Sequence, residues 1–497
     1  MSEERDTSYD EVRYPGHCYP WTHPEHLAAL GYIFGLDPRP VEQCRVLEIG
    51  CGDGANLVPM AYGLPASEFL GIDCAGIPIA EGLAIVQRLG LKNITLLKTD
   101  LLEFSERTGP FDYIIAHGFY SWVVPQAQDR LLQVCRAALS PNGIAFISYN
   151  TYPGFYIRQM LREMMMFHVH LAPEPRTKLA QARAFCRLLK DARVQSDELD
   201  LLLKDETESL LRHHEGCLYH DDLAEVNRPV YFHEFVEHAG RHGLQYLAEA
   251  EYFMMQDAVL AENAREAMRG LEENRLLREQ YLDFFRCRRF RQTLLCHQEA
   301  PVQSCVIRER IMHLRVSSSA SPVSPHVDLH SPAEETFRGM NQSTMICSQP
   351  VAKAAMLVLI EAWPRSLAFH ELAAGTASRL EEQPPGRLED WIVEIVLAAY
   401  RLGLSELHTF EPHLSLEAGE RPVASAVARL QAEKGELLTN LRHRAVCLKD
   451  ERERRLIRLL DGTRNRSDLA RDLGEVEGCT VDLDSLLREF GRLALLL

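Results

Sequence analysis

The feature that most constrains the fold is an alternation of short apolar runs with helical patterns between residues 45 and 150. Short runs rich in Val, Ile and Leu are typical of buried strands, and parallel strands need a crossover connection between them. The alternation therefore predicts βαβ units and a doubly wound α/β sheet. The five runs span residues 46–49, 69–72, 94–97, 113–116 and 144–147.

Two later runs complete the predicted sheet. The stretch from Phe155 to His214 has a helical pattern, and the apolar runs 244–248 and 290–295 come after it. We interpret these two runs as a late hairpin of the same sheet and the helices before them as an insertion. The helices that we expect elsewhere cover 77–89, 126–139, with Pro141-Asn142-Gly143 as its stop signal, and 260–285.

The rest of the chain divides by composition. A stretch rich in Ser and Pro at 315–325 is typical of a linker, and mostly helical patterns with a weak likeness to winged-helix modules follow it. We therefore predict five segments. They are a lid and cofactor-binding core at 1–154, a helical insertion at 155–228, the remainder of the sheet at 229–300, a linker at 301–345 and a helical, winged-helix-like region at 346–497.

Charge restricts the partners. The 497 residues include 54 Lys and Arg against 71 Asp and Glu, so a formal charge of −17 repels phosphate backbones and anionic lipid. We predict no nucleic-acid and no membrane partner, and for the C-terminal modules protein contact or dimerisation is at least as good an interpretation as DNA binding. Arg286, Arg288, Arg289 and Arg291 form either a local basic patch or, as we favour, solvated side chains beside a strand.

The ends and the cysteines indicate a reducing compartment. The first residues contain no apolar leader, and no run of about 18 apolar residues occurs, so we expect a cytoplasmic protein. The 13 Cys residues lack a paired Cys-x-x-Cys spacing. Cys44, Cys51, Cys135 and Cys296 fall inside predicted elements or the glycine loop, which favours buried free thiols, no disulfide framework and no metal site.

A glycine-rich loop, Glu48-Ile49-Gly50-Cys51-Gly52-Asp53-Gly54, directly follows the first run. Glycines let the backbone turn sharply and approach a ligand that a Cβ would exclude, and the next helix offers unpaired N–H groups. Several nucleotide cofactors share such a loop. Glu48 before it and Asp53 within it favour a cationic cofactor with an amino-acid moiety, because NAD-binding loops commonly have an apolar residue in place of Glu48.

Two further acids narrow the cofactor. Asp73 closes the second run, where a carboxylate can bind both ribose hydroxyls. Asp100 follows the third run, where its side chain can bind the adenine amino group while Leu101 packs on the ring. Four features in this order at strand ends predict S-adenosylmethionine, and NAD is the alternative within the fold.

Six motifs support a family resemblance; they span residues 14–24, 46–56, 116–123, 148–154, 232–235 and 289–296. They resemble the bacterial methyltransferases that carry a methyltransferase regulatory domain, a group that includes the rickettsial lysine methyltransferases of outer-membrane proteins. The likeness extends from Tyr14 to Cys296 and is looser beyond. It implies a Rossmann-like, seven-stranded class I methyltransferase fold, a helical insertion used for dimerisation, and methyl transfer to a protein lysine.

The acceptor should bind beside the methyl group in a site without water, since methyl transfer is an in-line displacement. A lysine must also lose a proton, which a desolvated pocket with aromatic faces favours. The residues that we predict to form this pocket are Tyr14, His117, Tyr120, Trp122, Asn150 and Tyr152. His117 is either a general base with a pKa near neutrality or a polar strand-end residue, and packing is the alternative role of Tyr120, Trp122 and Tyr152.

Three functions remain open. The first is a homodimeric protein lysine N-methyltransferase with C-terminal modules that recruit a protein or peptide; the others are a small-molecule O- or N-methyltransferase and a non-catalytic cofactor-binding regulator. The insertion and the C-terminal modules exceed what a small acceptor requires, which favours the first. DNA adenine and glutamine acceptors rank lower, because Asn150-Thr151-Tyr152-Pro153 only distantly resembles their Asn-Pro-Pro-aromatic run. The residues that we expect to bind the cofactor are Tyr19, His23, Glu48, Gly50, Cys51, Gly52, Asp53, Asn56, Asp73, Asp100, Leu101 and His117.

Overall fold

A seven-stranded sheet forms the centre of the N-terminal part of the molecule. The computed structural model describes residues 7–192, 197–271, 273–382, 384–473 and 482–497. Residues 1–6 of the predicted lid, 193–196 of the predicted insertion and 474–481 of the predicted C-terminal region lie outside the described residues. The strands of the sheet are β1 (Arg45–Ile49), β2 (Glu68–Asp73), β3 (Ile94–Lys98), β4 (Phe111–Ala116), β5 (Leu139–Asn150), β6 (Leu244–Glu249) and β7 (Phe290–His297).

The strand order is β3-β2-β1-β4-β5-β7-β6. The first five strands in this order pair in parallel, and β7 is antiparallel to both β5 and β6. This order confirms the predicted seven-stranded α/β sheet with a late hairpin. It reverses direction between β1 and β4, and such a switch point opens a crevice at the carboxyl ends of the strands.

Helices cover both faces of the sheet, so both faces are buried. Successive side chains of β1 enter different cores, because strand side chains alternate between faces. Val46 packs in one core with Leu27 and Leu57, and Leu47 packs in the other with Leu131. The first helices of the chain are α1 (Ser8–Glu11), α2 (Pro24–Ile33), α3 (Leu57–Gly63), α4 (Gly76–Leu89) and α5 (Pro125–Ala138).

The residues of the predicted insertion fold as helices around their own core. Leu161, Met165 and Leu210 are buried together there. Phe167 and Leu171, in contrast, are 78% and 82% exposed, which leaves apolar surface uncovered. The elements are α6 (Phe155–Val169), α7 (Pro175–Lys190), α8 (Glu198–Arg212), α9 (Glu215–Cys217) and a π-helical turn (Leu218–Asp222).

Two predicted helices have different limits in the structure. Helix α5 runs directly into β5, and Pro141-Asn142-Gly143 lies inside that strand, where its register with β4 shifts and a proline is tolerated. The helix expected at 260–285 is two helices, because Asn274 caps the second by accepting the N–H of Leu277 at 3.0 Å. The helices that follow the π-helical turn are α10 (Phe232–Arg241), α11 (Glu262–Arg269) and α12 (Arg275–Arg286).

Residues 301–345, which we predict as a linker, are folded, so this prediction is wrong. They contain a 3-10 helix (Arg308–His313) and strands that pair with later ones. Two of the serines that suggested a linker are buried and hydrogen-bonded. The hydroxyl of Ser317 lies 2.7 Å from Nε2 of His408, and that of Ser318 donates to the carbonyl of Leu404 at 2.6 Å.

The C-terminal region is mainly helical with short strands, as the predicted helical, winged-helix-like region requires. Its last part has a separate core that includes Leu438, Leu456 and Phe490. The helices are α13 (Pro350–Ala362), α14 (Phe369–Ala377), α15 (Leu388–Arg401), α16 (Ala426–Gln431), α17 (Glu451–Leu459), α18 (Arg466–Leu473) and α19 (Leu483–Arg492). The short strands are β8 (Arg315–Ser317), β9 (Ser321–Pro322), β10 (Glu335–Arg338), β11 (Thr344–Cys347), β12 (Leu367–Ala368), β13 (Glu406–His408), β14 (Leu437–Thr439) and β15 (Ala445–Cys447).

Arg291 of β7 lies at the centre of a buried ion-pair network. Its guanidinium is 2.6 Å from Glu249 Oε1, 2.8 Å from Asp283 Oδ2 and 3.2 Å from Glu279 Oε2. Arg288 is buried as well, 3.1 Å from Asp283. Neither the basic patch nor the solvated side chains that we considered describe these two arginines, because acids from β6 and α12 surround them.

None of the helices in the described ranges combines the length and the apolarity that crossing a bilayer requires. Cys44, Cys51, Cys135 and Cys296 are buried and free of disulfides. Burial raises the pKa of the Cys44, Cys135 and Cys296 thiols to about 12. These three thiols therefore stay protonated and unreactive at neutral pH.

Candidate cofactor and acceptor site

The glycine loop turns sharply from β1 towards the end of β2. The N–H of Gly50 donates to the carbonyl of Ile72 at 2.9 Å. Gly50, Gly52 and Gly54 have φ angles of 76°, 55° and 74°, a region that side chains disfavour. A Cβ on Gly52 would meet no other heavy atom of the described residues within 4 Å. Gly52 therefore presents bare backbone to open space.

That space is a cavity of about 730 Å³ at the carboxyl ends of β1, β2, β4 and β5. It lies at the switch point of the sheet, where α/β folds bind ligands. Side chains from the N-terminal segment, the sheet and the helical insertion line it together. The predicted site residues that line it are Tyr14, Tyr19, Glu48, Gly50, Cys51, Gly52, Asp53, Asn56, Asp73, Asp100, Leu101, His117, Trp122 and Asn150.

Glu48 places a buried carboxylate at one end of the cavity. Its Oε1 accepts from Nδ2 of Asn56 at 2.7 Å, whereas its Oε2 is buried with no hydrogen-bond donor among the described residues. Burial raises the pKa of Glu48 to about 8. An unpartnered buried oxygen of this kind calls for a cationic or N–H ligand.

Two other predicted acids of the cavity, Asp73 and Asp100, are held by backbone N–H groups. Asp73 accepts from the N–H of Gly52 at 2.9 Å and from that of Ala75 at 2.8 Å, and Asp100 accepts from Leu102 at 2.9 Å. Burial raises the pKa of Asp73, and the two backbone donors oppose that shift. Each carboxylate is therefore fixed in position and keeps acceptor capacity for a ligand.

Asn56 connects the cofactor loop to the N-terminal segment. Its Oδ1 accepts the N–H of Tyr19 at 2.9 Å, and its Nδ2 donates to Thr22 Oγ1 at 3.0 Å as well as to Glu48. We expected Asn56 to contact the cofactor. In the structure its amide is used to orient Glu48 and Tyr19, although the residue lines the cavity.

His117 lies at the other end of the cavity, after β4. Its ring packs on Tyr19 with centroids 3.9 Å apart, and Phe290 approaches its edge at 6.1 Å. Nδ1 lies 3.2 Å from the hydroxyl of Ser148. Burial lowers the pKa of His117 to about 3, so the imidazole is neutral at physiological pH. This agrees with a polar strand-end residue and not with a base of near-neutral pKa.

Comparison with known proteins identifies the family. Family models match residues 47–145 (Methyltransferase domain), 214–297 (Predicted methyltransferase regulatory domain) and 420–477 (PKMT, C-terminal winged helix domain). An uncharacterized protein of Rickettsia prowazekii is 32% identical over 483 residues, 94% of this chain and 86% of that protein. The chain belongs to the bacterial class I methyltransferases with a regulatory domain. S-adenosylmethionine is therefore its methyl donor, as the four features at the strand ends predict.

A solved structure has the same fold over nearly the whole length. PKMT2 from Rickettsia typhi, solved in complex with AdoHcy, is 28% identical, with a TM-score of 0.85 over 97% of this chain and 99% of that chain. The cavity of the methyltransferase fits S-adenosylmethionine. The unpartnered Oε2 of Glu48 suits the cationic amino group of that cofactor, and the open face of Gly52 leaves room for its amino-acid moiety.

Tyr120 of the methyltransferase lies outside the cavity, so its predicted role in the acceptor pocket is wrong. Its ring packs edge-on against Phe235 with centroids 5.1 Å apart, and its hydroxyl lies 2.8 Å from Nδ1 of His238. Phe119 and Trp122 line the cavity from the same loop. The 3-10 helix Tyr120–Trp122 turns neighbouring side chains in opposite directions, which a motif cannot indicate.

Two other predicted residues also lie away from the cavity. Tyr152 stacks on Tyr156 with centroids 4.1 Å apart, which agrees with the packing alternative. His23 caps α2 by accepting the N–H of Glu25 on its Nδ1 at 3.3 Å, so the prediction that it binds the cofactor is wrong. Proline at the first position of α2 favours a helix start directly after His23, because its fixed φ suits that position.

Several cavity residues of the methyltransferase escaped the sequence analysis. Arg158 of α6 forms a two-point ion pair with Asp222, at 2.6 and 2.9 Å, and Asp221 lies beside it. The available signal was this adjacent pair of acids in a helical stretch. This signal does not by itself indicate a cavity, because only the fold brings the insertion over the sheet. The unpredicted residues that line the cavity include Tyr9, Phe119, Phe155, Arg158, Asp221, Asp222, Val226 and Phe290.

Proposed function

We propose that this methyltransferase transfers methyl groups to the side-chain amine of a lysine in a protein or peptide. The observation that carries the proposal is the composition of the cavity beyond the cofactor loop, where Tyr14, Tyr19 and Asp221 come together. A cation is attracted both by aromatic faces and by a carboxylate. A neutral hydroxyl acceptor would gain little from them.

The relatives support a protein acceptor. The solved Rickettsia typhi protein is named PKMT2, for protein lysine methyltransferase, and the winged helix model that matches residues 420–477 has the same designation. The likeness to that solved protein covers the insertion and the C-terminal region. The structures that would present a protein substrate are therefore shared.

We assign the cofactor end to residues that the glycine loop brings together. S-adenosylmethionine would supply a methyl group on a sulfonium, open to in-line attack by an acceptor nitrogen with the sulfur as the leaving group. Glu48 binds the amino group, Asp73 the ribose hydroxyls and Asp100 the adenine amine, with Leu101 against the ring. Backbone hydrogen bonds hold Asp73 and Asp100 in place before the cofactor binds, and the Asn56 side chain holds Glu48.

The acceptor end orients the amine and excludes water. The stacked rings of Tyr19 and His117 form one wall, and Trp122 and Phe290 add apolar surface. A neutral His117 can accept or donate one hydrogen bond, and it adds no positive charge that would repel a cationic substrate. An apolar surface that excludes water strengthens the charge interactions inside the cavity, because it lowers the local dielectric constant.

The experiment is incubation of a bacterial lysate with purified protein and methyl-labelled cofactor, followed by separation of proteins from small molecules. We expect label in protein and, after acid hydrolysis, in N-methylated lysine. Label confined to the small-molecule fraction would contradict the proposal and favour a metabolite acceptor. Label in a residue other than lysine would also contradict it.

Two matched variants control for contaminating activity. Glu48→Gln removes the buried carboxylate and should abolish most labelling, whereas Glu68→Gln removes an exposed carboxylate of β2 and should leave it unchanged. Equal labelling by both variants would show that the label arises from another enzyme.

We further infer that the protein acts as a homodimer through the helical insertion. Phe167 and Leu171 are large apolar side chains that are almost fully exposed in the single chain. Large apolar side chains left exposed in one region are typical of an association site. A second copy is the occupant that we propose, because the family resemblance implies dimerisation through this insertion.

A further inference from the structure

Asp221 projects into the acceptor end of the cavity from the π-helical turn. Its Oδ2 accepts a hydrogen bond from the Tyr14 hydroxyl at 3.3 Å. The turn is clamped onto the N-terminal segment, since Tyr9 stacks on His220 with centroids 3.9 Å apart and His220 Nε2 lies 2.7 Å from the carbonyl of Val12. The Asp221 carboxylate thus lies against an N-terminal segment rich in tyrosine.

The two adjacent acids of the turn differ in their partners. Asp222 is neutralised by the two-point ion pair with Arg158. Asp221, within the part of the chain that the structure describes, forms no ion pair with Lys, Arg or His, and a long hydrogen bond from Tyr14 is its side-chain contact. A carboxylate that faces a cavity without a positively charged partner has its negative charge free to bind a cation.

Two consecutive hydrogen bonds connect Asp221 to the carboxyl end of β5. Asn150, the last residue of β5, donates to Oδ1 of Asn227 at 3.2 Å, and Asn227 donates to the carbonyl of Asp221 at 3.3 Å. Asp221 also contributes, after burial, to the raised pKa of Tyr19, whose ring lies on His117. The acid therefore lies on the side of the cavity where an acceptor would enter.

We propose that Asp221 binds the ammonium group of the acceptor and takes its proton before methyl transfer. This assignment rests on the proposed lysine acceptor. It gives the regulatory domain, which contains the turn, a direct part in the reaction.

The step balances with the donor that the enzyme already uses. One N–H bond of the ammonium breaks, and its proton forms an O–H bond on Asp221. The lone pair left on nitrogen then forms the N–C bond as the S–C bond breaks, and the electron pair of that bond stays on sulfur. The product amine leaves as a methylated ammonium, and Asp221 releases its proton to water.

The pKa of Asp221 suits this role. Burial, and then the negative charge of Asp222, raise it to about 7, which is the range in which a general base works at physiological pH. Burial keeps the tyrosine hydroxyls and the Cys217 thiol protonated by raising their pKa values. The charged or titratable groups that face Asp221 are Tyr9, Tyr14 and Tyr19 of the N-terminal segment, Arg158 of α6, Cys217 of α9 and Asp222 of the turn.

The first test measures binding of n-butylammonium, which mimics the end of a lysine side chain, to the AdoHcy-loaded full-length protein by ligand-detected NMR. We expect affinity to rise about 10-fold from pH 6 to pH 8 as Asp221 loses its proton, because the alkylammonium stays charged throughout. Asp221→Asn should weaken binding at pH 8 about 10-fold or more and remove this pH dependence. Unchanged binding by a folded Asp221→Asn protein would overturn the proposal.

The second test compares methylation of poly-lysine. Loss of a general base lowers kcat by about 10²- to 10⁴-fold, and we expect a decrease of this size in Asp221→Asn. The variant should also lack the rise of kcat/KM between pH 6 and 8. Its AdoHcy affinity should match that of wild type, and its melting temperature at neutral pH should be no lower, because Asn removes a buried acid with a raised pKa. The control Glu225→Gln, an exposed acid on the segment that follows the turn, should behave as wild type. A normal pH profile in Asp221→Asn would refute the role.

Tyr14→Phe provides an independent variant if Asp221→Asn does not fold. The Tyr14 hydroxyl donates to Asp221 and lowers the pKa of that carboxyl, so its removal should shift the limb of the kcat/KM profile to higher pH. An unshifted limb would contradict the assignment. Failure of poly-lysine methylation with intact Asp221-dependent butylammonium binding would instead count against the lysine acceptor alone.

Discussion

Nε2 of His443, in the C-terminal region, donates to Oδ1 of Asn56 at 2.9 Å across a sequence separation of 387 residues. The same Asn56 side chain donates to Glu48 and accepts from the backbone of Tyr19. His443 is buried and adopts a φ of 55°, a left-handed conformation that is uncommon outside glycine. The C-terminal region therefore supports both ends of the cofactor site through one buried side chain.

This contact predicts that His443→Ala weakens cofactor binding. Without the donor, Asn56 is freer to rotate and Glu48 loses its orientation, so we expect AdoHcy affinity to fall about 10-fold, or about 1.4 kcal/mol. Calorimetric titration measures it. His413→Ala, which removes an exposed histidine from the same region, should leave affinity unchanged. Wild-type affinity in a folded His443→Ala protein would show that the region supports the site in another way.

Glu48 should destabilise the ligand-free protein at neutral and higher pH. Its folded pKa of about 8 lies above the usual value of 4.5 for a free glutamate, so the stability it contributes is complete below about pH 4.5. That stability is lost as pH rises through 8, by about 1.4 kcal/mol per pH unit. Glu48→Gln does not titrate. Its melting temperature relative to wild type should rise between pH 5 and 8, while AdoHcy affinity falls about 10- to 100-fold. A constant difference would contradict the raised pKa.

His117 should not set the pH dependence of the reaction. With a pKa near 3 it is neutral from about pH 4 upwards and exchanges no proton in the working range. We expect His117→Gln to lower kcat/KM by about 10-fold through altered packing on Tyr19, and to keep the rise between pH 6 and 8. Loss of that rise in His117→Gln would restore the histidine as the base.

The buried network around Arg291 should be a major stability determinant. Arg291→Met leaves the carboxylates of Glu249 and Asp283 uncompensated in the core, which costs about 3–5 kcal/mol of unfolding free energy. Urea denaturation measures it. Arg241→Ala breaks an exposed pair with Glu237 and should cost about 1 kcal/mol at most. Similar losses for the two variants would contradict the buried network.

Association through the insertion should depend on its exposed apolar side chains. Replacing Phe167 and Leu171 together by Asp should convert a homodimer to monomers, because charged side chains disfavour burial at an interface. Light scattering after gel filtration measures the mass. Val259→Asp, which changes an apolar side chain of similar exposure outside the insertion, is the control. A wild-type chain that is monomeric at high concentration would refute the dimer.

The sequence was a good guide to the cofactor half of the site and a poor one to the acceptor half. Glu48, Gly52, Asp73 and Asp100 all line the cavity, because each directly follows or closes a strand whose direction the apolar runs predict. The same reasoning placed Tyr120 in the cavity, and that prediction is wrong. Residues past a strand end can turn either way, and the neighbouring chain decides which.

By itself, the sequence determined the parallel core, the late hairpin and the cofactor, because apolar periodicity, glycine conformation and strand-end acids are local properties of the chain. Only the tertiary structure decided the rest. Tyr14 meets Asp221 across 207 residues, and Asn56 meets His443 across 387. Such contacts arise when separate segments pack over one cavity. Burial of apolar surface brings these segments together, and no local sequence pattern predicts which polar side chains will then face each other.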